Sequence, residues 1–285
     1  MNEIIDIMDL NRSEYEALLG GDISENMDRA FFNGIISRDE ADKEPNGAVV
    51  WYLHNAESKR DTTSIIVCFI APDADTAGEL LDEYIGRAEE DMVKKTTFEL
   101  EDLSDEIRDV LVRRGFKVEE KESSTITVTF KDAADSKIMQ KTNVSANIRA
   151  VNDLSLIQFR QAITSCLFIG ESGLYDDLSI LPKNWYEEDI SCCSIIDNKV
   201  RGVLLMHSLP SGILKPVLLF ANGDDANINI LHMLRFCVQK GVEIYPEDKQ
   251  VLITRNSKRV QKLMEALFPK ITGKTVFAGE LVEVS

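Results

Sequence analysis

One strand–turn–helix–strand–helix pattern occurs twice in this chain, about 150 residues apart, and such a repeat restricts the fold to two copies of one unit. The first copy opens with the run Thr62–Ile70 and turns at Asp73–Asp75. Its helix carries Leu80, Leu81, Tyr84, Ile85 and Ala88 at helical spacing. A short strand over Thr96–Leu100 follows, then a helix through Ile107, Val110 and Leu111 that ends at Gly115-Phe116. The second copy runs from Lys215–Ala221 through the acidic turn Asn222–Asp225 into a helix with Ile228, Leu231, Leu234 and Val238. Its next strand is Gln250–Thr254, and its last helix carries Val260, Leu263, Met264 and Leu267.

Antiparallel pairs belong to each copy. Ala48–His54 faces Ile65–Ile70 across the polar turn Glu57–Asp61, and Cys192–Ile196 faces Val200–His207 across Asp197-Asn198-Lys199. Hairpins followed by strand–helix–strand–helix predict an α/β (α+β layered) fold, each domain a mixed, mainly antiparallel sheet flanked by helices. The small, polar stretch Lys131–Lys137 reads as a linker, which gives domains 1–135 and 136–285. The second domain is expected to open with a strand over Val144–Val151. A helix through Leu156, Phe159, Ile163 and Leu167 then leads to a loop-rich stretch over Gly170–Tyr175 and Leu181–Trp185.

Charge narrows the partners. With 49 acidic against 32 basic residues, the chain repels nucleic acid and anionic membrane surfaces. No stretch approaches the roughly 20 apolar residues of a membrane span. Met1–Asp6 places no basic segment before its apolar residues, so no signal peptide is expected. Five cysteines, an odd number without framework spacing, fit a reducing compartment, and the expected location is cytoplasmic.

The element order resembles the GNAT superfamily of acyl-CoA-dependent N-acetyltransferases, best over Val49–Phe116 and Val200–Phe268. Gly115-Phe116 matches that family's terminal Gly-Phe, where the second copy has Leu267-Phe268. Asn256 falls at or beside the family's asparagine near the CoA arm, where the first copy has Leu103 or Ser104. The family's general-acid tyrosine is replaced by Leu111 in the first copy and by Leu263 or Met264 in the second. Its Gly-rich phosphate loop is replaced by Ala71–Gly78 and by Asn222–Asn227. The resemblance implies a splayed strand pair that takes acetyl-CoA as co-substrate, with the pyrophosphate on a helix N-terminus. It implies a small-molecule or peptide amine as acceptor. Pro72 removes a donor from the first loop, so the second copy is the implied CoA-binding half, through Phe220, Ala221, Asn222, Gly223, Ala226, Asn227 and Asn256. The alternative is a catalytically degenerate member acting as a ligand sensor or interaction module.

Several residues carry two readings. Asp73, Asp75, Asp224 and Asp225 either repel a pyrophosphate or simply cap and complement their helices. Trp185 and Glu188, in the cluster Trp185–Asp189, are the acceptor-site candidates, against a loop pinned on the core by Trp185. His54 and His207 end corresponding strands and read either as catalytic residues of unassigned role or as plain polar strand-end residues; His232 reads as a helix-surface or packing residue. Cys192 and Cys193 point to opposite faces of a strand, which is poor chelating geometry, and no zinc site is expected.

Overall fold

The computed structural model describes residues 2–39, 43–54, 62–136, 139–140, 143–168, 176–197, 199–255 and 257–282. It divides into two compact units, residues 1–123 with 274–285, and residues 124–273.

Unit 1 is built on β1 (Asn2–Asp6), β2 (Phe32–Asp39), β3 (Pro45–His54), β4 (Thr63–Ile70), β5 (Lys95–Leu100), β6 (Lys117–Glu122) and, from the far end of the chain, β13 (Thr275–Val282). The sheet order is β1-β2-β3-β4-β5-β13-β6, antiparallel except for β4 beside β5. Its helices are α1 (Arg12–Leu19), α2 (Gly21–Ser24), α3 (Ala74–Glu90) and α4 (Asp105–Arg113). The apolar stripe of α3 becomes core: Leu80, Leu81 and Tyr84 are fully buried against Val49, Trp51 and Ile66 of the sheet. Asp73 caps α3 by accepting from the Thr76 amide at 2.8 Å, so the capping reading holds there. Gly115, at φ +89°, takes the left-handed conformation that ends α4, and the Phe116 amide turns back to the Leu111 carbonyl.

Unit 2 holds β7 (Thr125–Thr129), β8 (Ile148–Ala150), β9 (Cys192–Ile196), β10 (Lys199–Ser208), β11 (Leu214–Ala221) and β12 (Gln250–Thr254), in the order β7-β12-β11-β10-β9-β8. Its helices are α5 (Phe130–Asp135), α6 (Leu156–Phe168), α7 (Ala226–Ile244) and α8 (Lys258–Leu267). One face of the sheet packs on α7 and α8 through Leu204, Met206, Met233 and Met264; the other receives Phe159 and Ile163 of α6. Cys192 and Cys193 are buried on these two opposite faces, as strand alternation requires.

The expected linker is a helix. Thr129 and Asp132 close a capping box that starts α5, and the strand before it, β7, runs beside β12 in the second sheet. The units therefore part at Ser123/Ser124 and not at Asp135/Ser136. The far end of the chain also lies elsewhere than residue order suggests, because β13 is hydrogen-bonded between β5 and β6 of the first sheet. The expected strand over Val144–Val151 is short: only Ile148–Ala150 pairs. The turn at Glu57–Asp61, the loop Gly170–Tyr175, Asn198 and Asn256 lie outside the described residues.

Candidate functional site

The two repeats differ most at their single parallel strand pair. In unit 1, β4 and β5 stay paired over four positions, from Thr63↔Lys95 to Ile66↔Phe98. The Tyr84 hydroxyl sits across that junction, 2.7 Å from Ser64 Oγ and 2.8 Å from Thr96 Oγ1. Burial pushes its phenol up to about 12, so it remains a neutral hydrogen-bonding group. Phe98, Leu111 and Phe116 fill the space beyond. At the end of α4, Arg114 makes a two-pronged ion pair with Asp82 of α3 at 2.8 Å, closing the helices on each other.

In unit 2, β11 touches β12 at one position only, Leu214↔Val251, and the strands diverge from there. Just past the junction β11 carries a bulge: Met206 faces Pro216 and Leu205 faces Leu218, leaving Val217 as the extra residue. Unit 1 has the same irregularity at Val67, where Val50 faces Cys68 and Trp51 faces Ile66. A bulge beside an open strand edge aims backbone N–H and C=O groups into the gap instead of into a ladder. The gap in unit 2 is a cavity of about 210 Å³. It is lined by Thr254 at the end of β12 and Ser257 at the cap of α8, by Leu218, Val251 and Cys237, and by Phe130 and Met139. Cys237 is too deeply buried to supply a nucleophile, its thiol being pushed up to about 12.

Charge separates the units as sharply as pairing does. Unit 1 contains 33 acidic and 15 basic residues, unit 2 contains 16 and 17, so the acidity of the chain belongs to unit 1. The contrast is clearest at the last helix of each repeat. Helix α4 starts with Asp105 and Glu106 after its Ser104 cap, the order that suits the helix dipole. Helix α8 starts with Lys258 and Arg259 after its Ser257 cap, against the dipole. Arg259 donates to Asn227 Oδ1 at 2.7 Å, which brings this cationic turn to the start of α7. Cations held against a helix dipole beside a cavity mouth suit an anionic ligand.

The sequence-derived residues fall in three places. Phe220 and Ala221 end β11 as buried residues; Asn222 and Gly223 (φ +85°) lie in the turn into α7, whose first two residues are Ala226 and Asn227. The capping reading fails at Asp225, which makes no side-chain cap hydrogen bond; Asp224 and Asp225 are exposed. Trp185 and Glu188 stand apart from the cavity lining. Trp185 stacks on His207 at 3.5 Å and 6°, and its carbonyl accepts from His207 Nδ1 at 2.7 Å. Glu188 is ion-paired to Lys183 at 3.0 Å, and Glu187 accepts from Tyr245 at 2.7 Å. His207 is nearly buried and lies opposite Lys215, a cavity-lining residue, in the β10–β11 register. His232 Nδ1 accepts from the Ser145 amide at 3.2 Å, a packing role. Among the described residues no His/Cys/Asp/Glu group could hold a metal ion. Lys258 and Arg259 escaped the sequence reading, although their inversion of Asp105-Glu106 is visible once the repeats are aligned.

A bulged strand, its parallel neighbour and the helix between them, built twice in one chain, fix the architecture. The chain has a tandem GNAT fold. The tandem GNAT protein from the clavulanic acid biosynthesis pathway superposes with a TM-score of 0.64, covering 99% of this chain and 98% of that one at 9% identity. The GCN5-related glucosamine N-acetyltransferase region of a fungal multi-domain GH3 β-N-acetylglucosaminidase gives 0.57 over 99% of this chain and 38% of that one, at 8% identity. A GCN5-related N-acetyltransferase from Kribbella flavida gives 0.50 over 99% and 71%, at 12% identity. No family profile matches the sequence, and no curated protein matches it. Among the described residues, no helix of this tandem GNAT fold is long and apolar enough to cross a membrane.

Proposed function

We propose that the chain is an N-acyltransferase whose second unit takes an acyl-CoA and passes the acyl group to an amine. The observation that carries this reading is the opening of β11 from β12 beyond Leu214, with a cavity filling the gap. The open edge of β11 offers backbone groups to a pantetheine arm, which is itself a chain of amides. Lys258 and Arg259, with the turn Asn222–Asn227, suit the phosphates, and a near-neutral unit 2 does not repel them. Unit 1, acidic and latched by Tyr84, serves as scaffold.

In this reaction the amine nitrogen attacks the thioester carbonyl carbon. The C–N bond forms, the C–S bond breaks, and the leaving thiolate takes a proton in exchange for the one the nitrogen loses. The chain's part is to hold the thioester at the junction and to polarise its carbonyl with backbone N–H groups at the Val217 bulge. His207, held by Trp185 opposite Lys215, is the candidate group to receive the amine proton. Trp185 and Glu188 remain the candidates on the acceptor side.

Titration calorimetry of the full chain with acetyl-CoA tests the reading. Binding at one site per chain, weakened at least about tenfold by Lys258→Glu/Arg259→Glu, is the expected result. One-site binding unaffected by the charge reversal rejects the assignment of the phosphate corner. A second reading, a binding module without turnover, draws on the apolar pair Leu263 and Met264, at one of which the resemblance implies the family's tyrosine acid and of which Met264 lines the cavity. It predicts the same binding and no amide product with any amine.

A further inference from the structure

We infer that the acyl group this chain accepts is an apolar chain longer than acetyl. The inference rests on the acyl-CoA reading of unit 2. The lining of the cavity does not stop at the Leu214/Val251 junction, where a thioester would lie; Phe130, whose amide reaches the Lys249 carbonyl on the side of the junction away from Thr254, lines it together with Ala133 of the same helix α5 and Met139. An acetyl group adds one methyl beyond the carbonyl and leaves that inner end empty.

The chemistry of the inner end is uniform. Among the cavity-lining residues only Lys215, Thr254 and Ser257 carry an oxygen or nitrogen in the side chain, and Thr254 and Ser257 sit at the mouth. Lys215 stands on β11 next to the junction. Inward of it, Phe130, Met139, Met206 and Cys237 are all buried. Phe130 is fixed by a parallel ring stack on Tyr245 at 5.8 Å, and Tyr245 is in turn tied to Glu187. Met139 and Met206 bring flexible thioether arms that adapt to a chain of variable shape. A wall of this kind offers nothing to a polar or charged acyl group, and each methylene it buries is taken out of water.

The experiment is a calorimetric series with the full chain, using CoA, acetyl-CoA, butyryl-CoA and hexanoyl-CoA. Burying one methylene is expected to tighten binding about fourfold, so butyryl-CoA should bind about fifteenfold tighter than acetyl-CoA. Filling the inner end should flatten the series. Ala133→Ile does so from α5 and Cys237→Leu from α7; the second variant stands in if the first fails to fold. Equal or falling affinity from acetyl to hexanoyl, with CoA itself bound, overturns the inference and leaves the acyl-CoA site standing. No binding by any member of the series, CoA included, overturns both.

Discussion

The Tyr84 hydroxyl latches the strand pair of unit 1, and Tyr84→Phe measures the latch. The variant removes one oxygen and keeps the ring, whose edge contact with Trp51 at 5.1 Å and 75° is apolar. Two buried hydrogen bonds disappear, at about 1 kcal/mol each. Ser64 and Thr96, both at 0% exposure, then hold hydroxyls beyond the reach of water, so the loss should lie between about 2 and 3 kcal/mol. The chain has two tryptophans, one in each unit, so a Trp185→Phe background leaves Trp51 as a reporter of unit 1 alone. In a urea titration read by that fluorescence, the midpoint should fall by about 1 M at an unchanged slope. Adding Ser64→Ala and Thr96→Val should recover much of the loss, because no buried hydroxyl is then left without its partner. Alkaline pH supplies an independent limb. Burial pushes the folded phenol from the ordinary tyrosine value of about 10 up to about 12, so its contribution is intact below pH 10 and is lost as pH rises toward 12. Tyr84→Phe should remove that part of the alkaline destabilisation. A midpoint within about 0.2 M of the parent would refute the latch.

Four further outcomes are expected. Asp73→Ala should cost unit 1 about 1 kcal/mol in the same titration. Hydrogen bonds from the Thr76 backbone amide and, second, its side chain hold the Asp73 carboxyl below its usual range, so the contribution of this cap is present above the ordinary Asp pKa and fades as pH falls below it; an acid titration comparing parent and Asp73→Ala reads the difference. Gly241→Ala should destabilise unit 2 by about 2 kcal/mol or more in a denaturant titration with Trp185 as the only tryptophan, because the new Cβ would stand 2.1 Å from the Phe130 ring; a silent substitution would show that the ring moves freely. Ending the chain at Gly273 should abolish amide protection in β5 and β6 while leaving β10 and β11 protected in hydrogen exchange.

Periodicity made the α3, α7, α4 and α8 stripes legible, and strand–turn–strand spacing made the β9–β10 hairpin legible, because each is a property of neighbours in sequence. What escaped is non-local. Nothing in Thr275–Val282 says that it pairs with a strand more than 150 residues earlier. Lys131–Asp135 looks like a linker because its residues are small and polar, yet those residues form helices once Thr129 and Asp132 cap them. At the site, sequence favours the second copy through its loop alone; the structure adds reasons the loop cannot give. The Leu214/Val251 divergence depends on how two strands sit, and the acidic cluster Trp185–Asp189 separates in space into bonds to His207, Tyr245 and Lys183.

The seat of β13 sets a schedule for the chain's synthesis. Among the described residues strand β6 has β13 as its only neighbour in the sheet, and the two are separated by 152 intervening residues, Ser123–Lys274. At about 5–20 residues per second, β6 and the adjoining edge of β5 wait roughly 8–30 s on the ribosome for the strand that covers them. A bare strand edge over such an interval invites pairing with other nascent chains. Lys117–Glu122 reads Lys-Val-Glu-Glu-Lys-Glu, five charges in six residues, and alternating signs of that density make a poor template for a foreign strand. The same charges that add little to the finished sheet keep its unfinished edge from finding the wrong partner.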